Sequence, residues 1–101
     1  MSEERARRAL TDAATRRRRL RDDDDTRVSW GNAPRDAAEI AGLDIEVSEL
    51  VETWCDARDA WCAERGLTRR VDRALVHRTV DDDDWRGGGP PMLVFGGIAG
   101  W

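Results

Sequence analysis

The sequence predicts an all-α protein: a small helical bundle with one long central helix, two or three shorter helices and extended N- and C-terminal arms. Apolar residues recur at intervals of three, four and seven between residues 47 and 61, which is the period of an α-helix. The 101 residues suffice for one small domain with a modest core. Charge, Gly and Pro dominate both ends, so a helical core is expected over residues 35–80.

Residues 1–21 form the first segment, which is predicted to be a basic helix or arm. Eight Arg stand against three acidic residues, and Ser2 is a suitable N-cap before Glu3 and Glu4, whose charge favours a helix N-terminus. The apolar positions make a thin stripe, consisting of Ala6, Ala9, Leu10, Ala13 and Leu20. Such a helix is expected to be stable only when it docks on a partner surface.

Residues 22–34 are predicted to form an acidic linker, because four consecutive Asp are followed by Gly, Asn and Pro. Trp30 within this segment is a candidate anchor to the core. Pro34 suits the start of a short helix that continues through Ile40 and ends near Gly42.

The longest helix is predicted over about residues 46–65, with Gly66 in the position of a C-terminal glycine. Its buried stripe supplies the predicted core residues, which are Leu50, Val51, Trp54 and Trp61. The opposite face is expected to be polar and consists of Glu49, Glu52, Asp56 and Asp59, with Arg58 between them.

Two Trp-Cys pairs within this helix raise the question of a disulfide or a metal site. Cys55 and Cys62 are seven residues apart, about two helical turns or roughly 10 Å, which is too far for a disulfide within the helix. One metal ion would not be held by both thiols, and His77 is the only His available as a further ligand. Both Cys are therefore predicted to be small apolar fillers. A disulfide or a shared site between subunits is the alternative.

A third helix is predicted over about residues 68–79, with Thr68 as its cap. Val71, Leu75 and Val76 are its apolar positions, and several Arg make it basic. His77 has no catalytic partner nearby in the sequence, so a surface or partly packed position is expected for it.

Residues 81–101 form an acidic and then Gly/Pro-rich apolar tail, "DDDDWRGGGPPMLVFGGIAGW". An apolar segment on a Gly-Pro tether is expected to dock on its own core or on a neighbour. The residues predicted to dock on a partner are Leu93, Val94, Phe95 and Trp101.

Residues 41–67, "AGLDIEVSELVETWCDARDAWCAERGL", resemble the core of the small helical head-to-tail connector (adaptor) proteins of tailed viruses. The matching positions are Gly42, Leu43, Asp44, Leu50, Val51, Glu52, Ala57, Ala60, Trp61 and Gly66. The resemblance implies a short helix, a Gly-Leu turn and a long helix. It also implies a non-enzymatic ring subunit that joins a portal to a tail, in a homo-oligomer or with portal or tail proteins.

Nucleic-acid binding is a second hypothesis. The predicted short helix, Gly turn and longer helix follow the order of a helix-turn-helix, and a basic cluster precedes them. The residues that would contact nucleic acid are Arg16, Arg17, Arg18, Arg19 and Arg21. The acidic residues of the long helix oppose this reading, because they would repel phosphates.

A third hypothesis is a precursor that releases an apolar C-terminal peptide after "WRGGG". An enzyme is not expected, because the chain has one His and neither a Gly-rich phosphate loop nor a Ser-His-Asp set. No cofactor, metal, small-molecule substrate or membrane contact is predicted. The charged N-terminus does not resemble a signal peptide, so a virion or cytoplasmic location is expected.

Overall fold

The computed structural model describes residues 2–85, which form three α-helices and no β-strand. Helix α1 spans Glu3–Ser29, α2 spans Ala37–Glu64 and α3 spans Arg73–Asp81. The first two helices run antiparallel as a long hairpin, and α3 packs on one side of it. The predicted all-α class is confirmed. None of the helices in residues 2–85 combines the length and apolar character needed to cross a membrane.

Helix α1 belongs to the bundle and is not an extended arm. Its hydroxyl cap is as predicted, since the N–H of Arg5 donates to Ser2 Oγ at 3.3 Å. Ala6 and Leu10 are fully buried in the same cluster as Val47 of α2. The thin stripe of Ala thus finds its partner surface within the chain.

The prediction of a linker over residues 22–34 is wrong for residues 22–29, because α1 continues through them. Asp24 explains why the acidic run at residues 22–25 is helical. Its buried carboxylate accepts the backbone N–H groups of Arg35 and Asp36 at 2.9–3.2 Å, where α2 begins. A carboxylate at a helix N-terminus satisfies donors that have no partner within that helix. Trp30 is 79% exposed and does not anchor this segment to the core.

All three helices end in the same way. The residue after each C-cap has a positive φ, which is +81° at Gly31, +69° at Gly66 and +57° at Asp83. The next N–H then donates to a carbonyl five residues back, from Asn32 to Arg27, from Leu67 to Cys62 and from Asp84 to Thr79. These are Schellman motifs. The predicted role of Gly66 is confirmed.

Helix α2 continues through Gly42, so the predicted turn between a short and a long helix is wrong. A helical Gly costs about 1 kcal/mol relative to Ala. Leu43 and Val47, in the turn after Gly42, are buried, and Glu39 and Asp44 form ion pairs with α1. These contacts outweigh the cost of the helical Gly. The helix-turn-helix order is therefore not formed, and the Gly-Leu turn implied by the connector resemblance is absent from α2.

The third helix begins at Arg73, five residues later than predicted. Asp72 is its cap, with a side chain that accepts the N–H of Leu75 at 3.1 Å. Val71 precedes the helix in an extended connection, is 7% exposed, and donates its N–H to Asp59 at 2.8 Å. This hydrogen bond holds the connection against α2. Residues 68–72 therefore form an irregular link to α3 and are not helical.

The core lies where the three helices meet. Val51 and Trp54 are buried as predicted, whereas Leu50 and Trp61 are partly buried and pack against the cluster. Trp85 joins this core although it was assigned to the tail. Its ring lies edge-on to Trp54 with centroids 5.1 Å apart, and its indole N–H donates to Thr11 at 3.0 Å.

Cys55 and Cys62 are free and fully buried, which confirms their predicted role as packing residues within the chain. Burial raises the pKa of the Cys55 thiol to about 12, so this sulfur is protonated at neutral pH. A protonated, buried thiol is a poor nucleophile.

Gly42 within α2 and Gly66 just after its C-cap should respond to Ala with opposite signs. We expect Gly66→Ala to destabilise the protein by about 1 kcal/mol, because a side chain is strained at φ +69°. Gly42→Ala should stabilise it by up to about 1 kcal/mol, because Gly42 is helical and a Cβ there meets nothing within 4 Å. Denaturant unfolding measures both, and the same sign for both would contradict the assigned helix end.

Candidate functional site

Most of the basic cluster proposed to contact nucleic acid is used within the fold. Arg16 pairs with Glu39, and Arg21 pairs with Asp44 at 2.9 Å. Arg17 is only 2% exposed and also pairs with Asp44, at 3.1 Å. The two remaining members, Arg18 and Arg19, are exposed on α1. These five side chains therefore do not form one basic surface.

Arg58 was predicted to lie on the polar face of the long helix, and this prediction is wrong because its side chain is buried. It is 6% exposed, and its guanidinium lies 3.9 Å from the ring centroid of Trp61 and 3.7 Å from the carboxylate of Glu3. Burial lowers the pKa of Arg58, which the charge of Glu3 partly opposes. Arg65 stacks on the same ring at 3.8 Å. Trp61 thus lies between two guanidinium groups.

A charged cluster joins α2 to α3. Arg73 contacts three carboxylates, which belong to Asp56, Glu52 and Asp59. Hydrogen bonds to Asp56 and Glu52 raise the pKa of Arg73. His77 lies 2.7 Å from Glu52, and this hydrogen bond lowers the pKa of Glu52. His77 is about one-third exposed, as expected for a partly packed residue.

Across residues 2–85, no three His, Cys, Asp or Glu side chains are placed to hold a metal ion together. The Arg73 cluster is made of half-exposed surface pairs that link two helices, and such pairs contribute about 0–1 kcal/mol each. Its role is to hold α3 in place.

An open groove between α1 and α2 is the candidate site. Its volume is about 710 Å³, and its floor is made of small and apolar residues, namely Ala9, Ala13, Gly42, Leu43 and Leu50. Asp12, Arg16, Glu39 and Glu46 form its rim. We call this surface of the hairpin the groove face.

Helix α3 lies on the other side of the hairpin. It contacts α2 through Glu52 and Asp59, and Trp85 reaches Thr11 of α1. None of these residues lines the groove. The nine-residue α3 therefore covers one face of the hairpin and leaves the groove face open.

Sequence reasoning did not identify this groove. Leu50 was assigned to the core, and it does pack there, but it also lines the groove. The predicted docking residues Leu93, Val94, Phe95 and Trp101 lie outside the described residues, as does the peptide of the precursor hypothesis. Small residues of α1 and α2 line the groove, but the sequence indicates it only once the pairing of the two helices is known.

Removing Glu3 should destabilise the fold far more than removing its neighbour. We expect Glu3→Ala to cost about 2–4 kcal/mol, because Arg58 would keep its charge while losing its buried partner. Trp54 would lose its hydrogen-bond acceptor as well. Glu4→Ala is the matched control and should cost less than about 0.5 kcal/mol, since Glu4 is 69% exposed. Equal losses in denaturant unfolding would contradict the buried pair.

The α2–α3 cluster should weaken in acid. Because the pKa of Glu52 is lowered from 4.5 in the folded state, its contribution is present above 4.5 and is lost as pH falls through the folded pKa. Glu52→Gln should therefore lower the melting temperature near neutral pH and change it little in acid well below pH 4.5. Glu49→Gln is the control, and a similar effect of both changes would contradict the assignment.

Comparison with known proteins identifies no family for this chain, since a scan against protein-family models and searches of curated proteins and solved structures found no match.

Proposed function

We propose that this chain is a non-enzymatic assembly protein, a subunit of a multi-subunit complex that acts through protein contacts on its groove face. The observation that carries the proposal is the open groove itself, an apolar floor with a charged rim. A head-to-tail connector of a tailed virus is the specific form that the sequence resemblance suggests for such a complex.

An apolar stripe, buried at Leu43 and partly buried further along, extends along α2 beyond the groove. Leu43, Leu50 and Ala57 follow one another at intervals of seven, which places them on one stripe of the helix. Trp61, four residues further, is partly buried on the same side. A stripe of this length matches a helix of a partner better than a small molecule, which favours enclosed pockets.

The rim also favours a protein partner. Asp12, Glu39 and Glu46 place three carboxylates around the groove, and the one rim arginine, Arg16, pairs with Glu39. Phosphate groups would be repelled by this arrangement. Mixed polar rims around apolar centres are typical of protein interfaces. Nucleic acid would have to bind outside the groove, for example at the exposed Arg18.

A charged side chain placed in the groove should reduce assembly. Gly42→Arg adds a long cation to the groove, where a Cβ has free space, while Ala41→Arg adds the same group to the exposed neighbouring position outside the groove. We expect the wild-type chain and Ala41→Arg to exceed the 11.4 kDa mass of one chain in light scattering, and Gly42→Arg to approach it.

Circular dichroism of both variants controls for folding. An equal response of the two variants would contradict assembly through the groove. A mass that rises only with added DNA and falls again with salt would instead support nucleic-acid binding.

A further inference from the structure

We propose that the occupant of the groove face is a second copy of this chain, so that two α1–α2 hairpins form a four-helix bundle around a two-fold axis parallel to the helices. This inference rests on the proposed function and names the partner. It follows from the apolar pattern, the distribution of charge and the side on which α3 lies.

Both helices present a seam of the kind that pairs with another helix. On α2 the seam is formed by Leu43, Leu50 and Ala57. On α1, Ala13 and Leu20 are also seven residues apart, and Ala9 precedes them on the same side. Apolar residues at this interval characterise helices packed at small crossing angles in bundles. The small Ala and Gly side chains allow a neighbouring helix to approach closely.

Charge divides the groove face into two halves of opposite sign. By helical spacing, the α1 half carries or borders Arg5, Arg8, Arg16, Arg19 and Arg27 against Asp12 and Asp23, a net charge of 5 − 2 = +3. The α2 half carries or borders Glu39, Glu46 and Glu49, a net charge of −3. The single Arg of α2, Arg58, is buried and does not offset this charge.

The charge distribution selects one symmetric arrangement. A two-fold axis parallel to the helices places α1 of each copy over α2 of the other, so a basic half faces an acidic half twice. An axis across the helices would instead place α2 over α2 and bring two acidic halves together, which is unfavourable at close range. In the first arrangement every adjacent pair of helices is antiparallel, and the interface is isologous and closed.

The position of α3 is compatible with this dimer. It contacts the hairpin on the side of Glu52 and Thr11, away from the groove, so it would lie on the outside of the four-helix bundle. The groove face is thus a surface of the hairpin that a second hairpin can cover without displacing any described element.

Charge reversal on two separate variants tests the proposal. The first variant carries Arg5→Glu and Arg19→Glu, which makes the α1 half acidic, and the second carries Glu46→Arg and Glu49→Arg, which makes the α2 half basic. All four side chains are exposed and none forms a salt bridge in the described part of the chain, so folding should persist, as circular dichroism would verify.

Each variant alone is expected to self-associate roughly tenfold or more weakly than the wild-type chain, because like charges would then face each other twice. An equimolar mixture should regain a mass of twice 11.4 kDa, because both contacts in the mixed dimer are again between opposite charges. High salt should weaken the mixed dimer.

The proposal is overturned if the wild-type chain is a monomer up to about 1 mM, if each variant alone keeps the wild-type mass, or if mixing restores nothing. If mixing restores nothing but Gly42→Arg still reduces assembly, the groove remains an interface. Its partner would then be a different one, such as residues 92–101 or another protein. If Gly42→Arg also has no effect, the proposed function fails as well.

Discussion

The fold depends on Arg17, a charged side chain buried where the three helices meet. Its guanidinium pairs with Asp44 of α2 and donates to the carbonyl of Val80 at the end of α3, at 3.2 Å. A buried guanidinium loses hydration and has to recover it from carboxylates and carbonyls in fixed positions. The depth and register at which α1 lies on α2 are therefore set by a polar contact as much as by the apolar core.

Arg58 applies the same principle at the other end of the hairpin, where α1 begins. Its partner Glu3 also accepts the indole N–H of Trp54 at 3.2 Å, so a single carboxylate links the N-terminus of α1 to the middle of α2. Three of the four α1 residues in or against the core are Ala, and an Ala side chain buries little area. Because the side chains of α1 that pack on α2 are small, buried ion pairs specify how the two helices align. In other bundles larger apolar side chains do this.

The sequence predicted those elements whose cause is local. The periodicity around Val51 and Trp54, the cap at Ser2 and the stop at Gly66 all depend on residues within a few turns. The continuation of α1 through the acidic run was missed because Asp24 finds its donors eleven and twelve residues away, across the loop. The helical state of Gly42 was missed because contacts to α1 decide it.

The candidate site was harder to predict from the sequence than the helices, because it too depends on contacts between residues far apart in the chain. Arg16, Arg17 and Arg21 lie within six residues of the chain and look like one basic cluster, but their acidic partners are 23 to 27 residues away. Which side of α2 remains open depends on where α3 packs, and Trp85 gave no periodic signal. The presence of helices was predictable, whereas the location of an uncovered surface required the tertiary arrangement.

The short α3 has a consequence for the dynamics of the protein. It has nine residues, it is held to α2 by half-exposed ion pairs, and the residue after its C-cap is Asp83, which has a positive φ that favours glycine. An element of this kind separates from the rest at lower free energy than global unfolding requires. Its opening would uncover Cys55, so the rate at which a thiol reagent modifies that sulfur would report how often the third helix detaches while the hairpin stays folded.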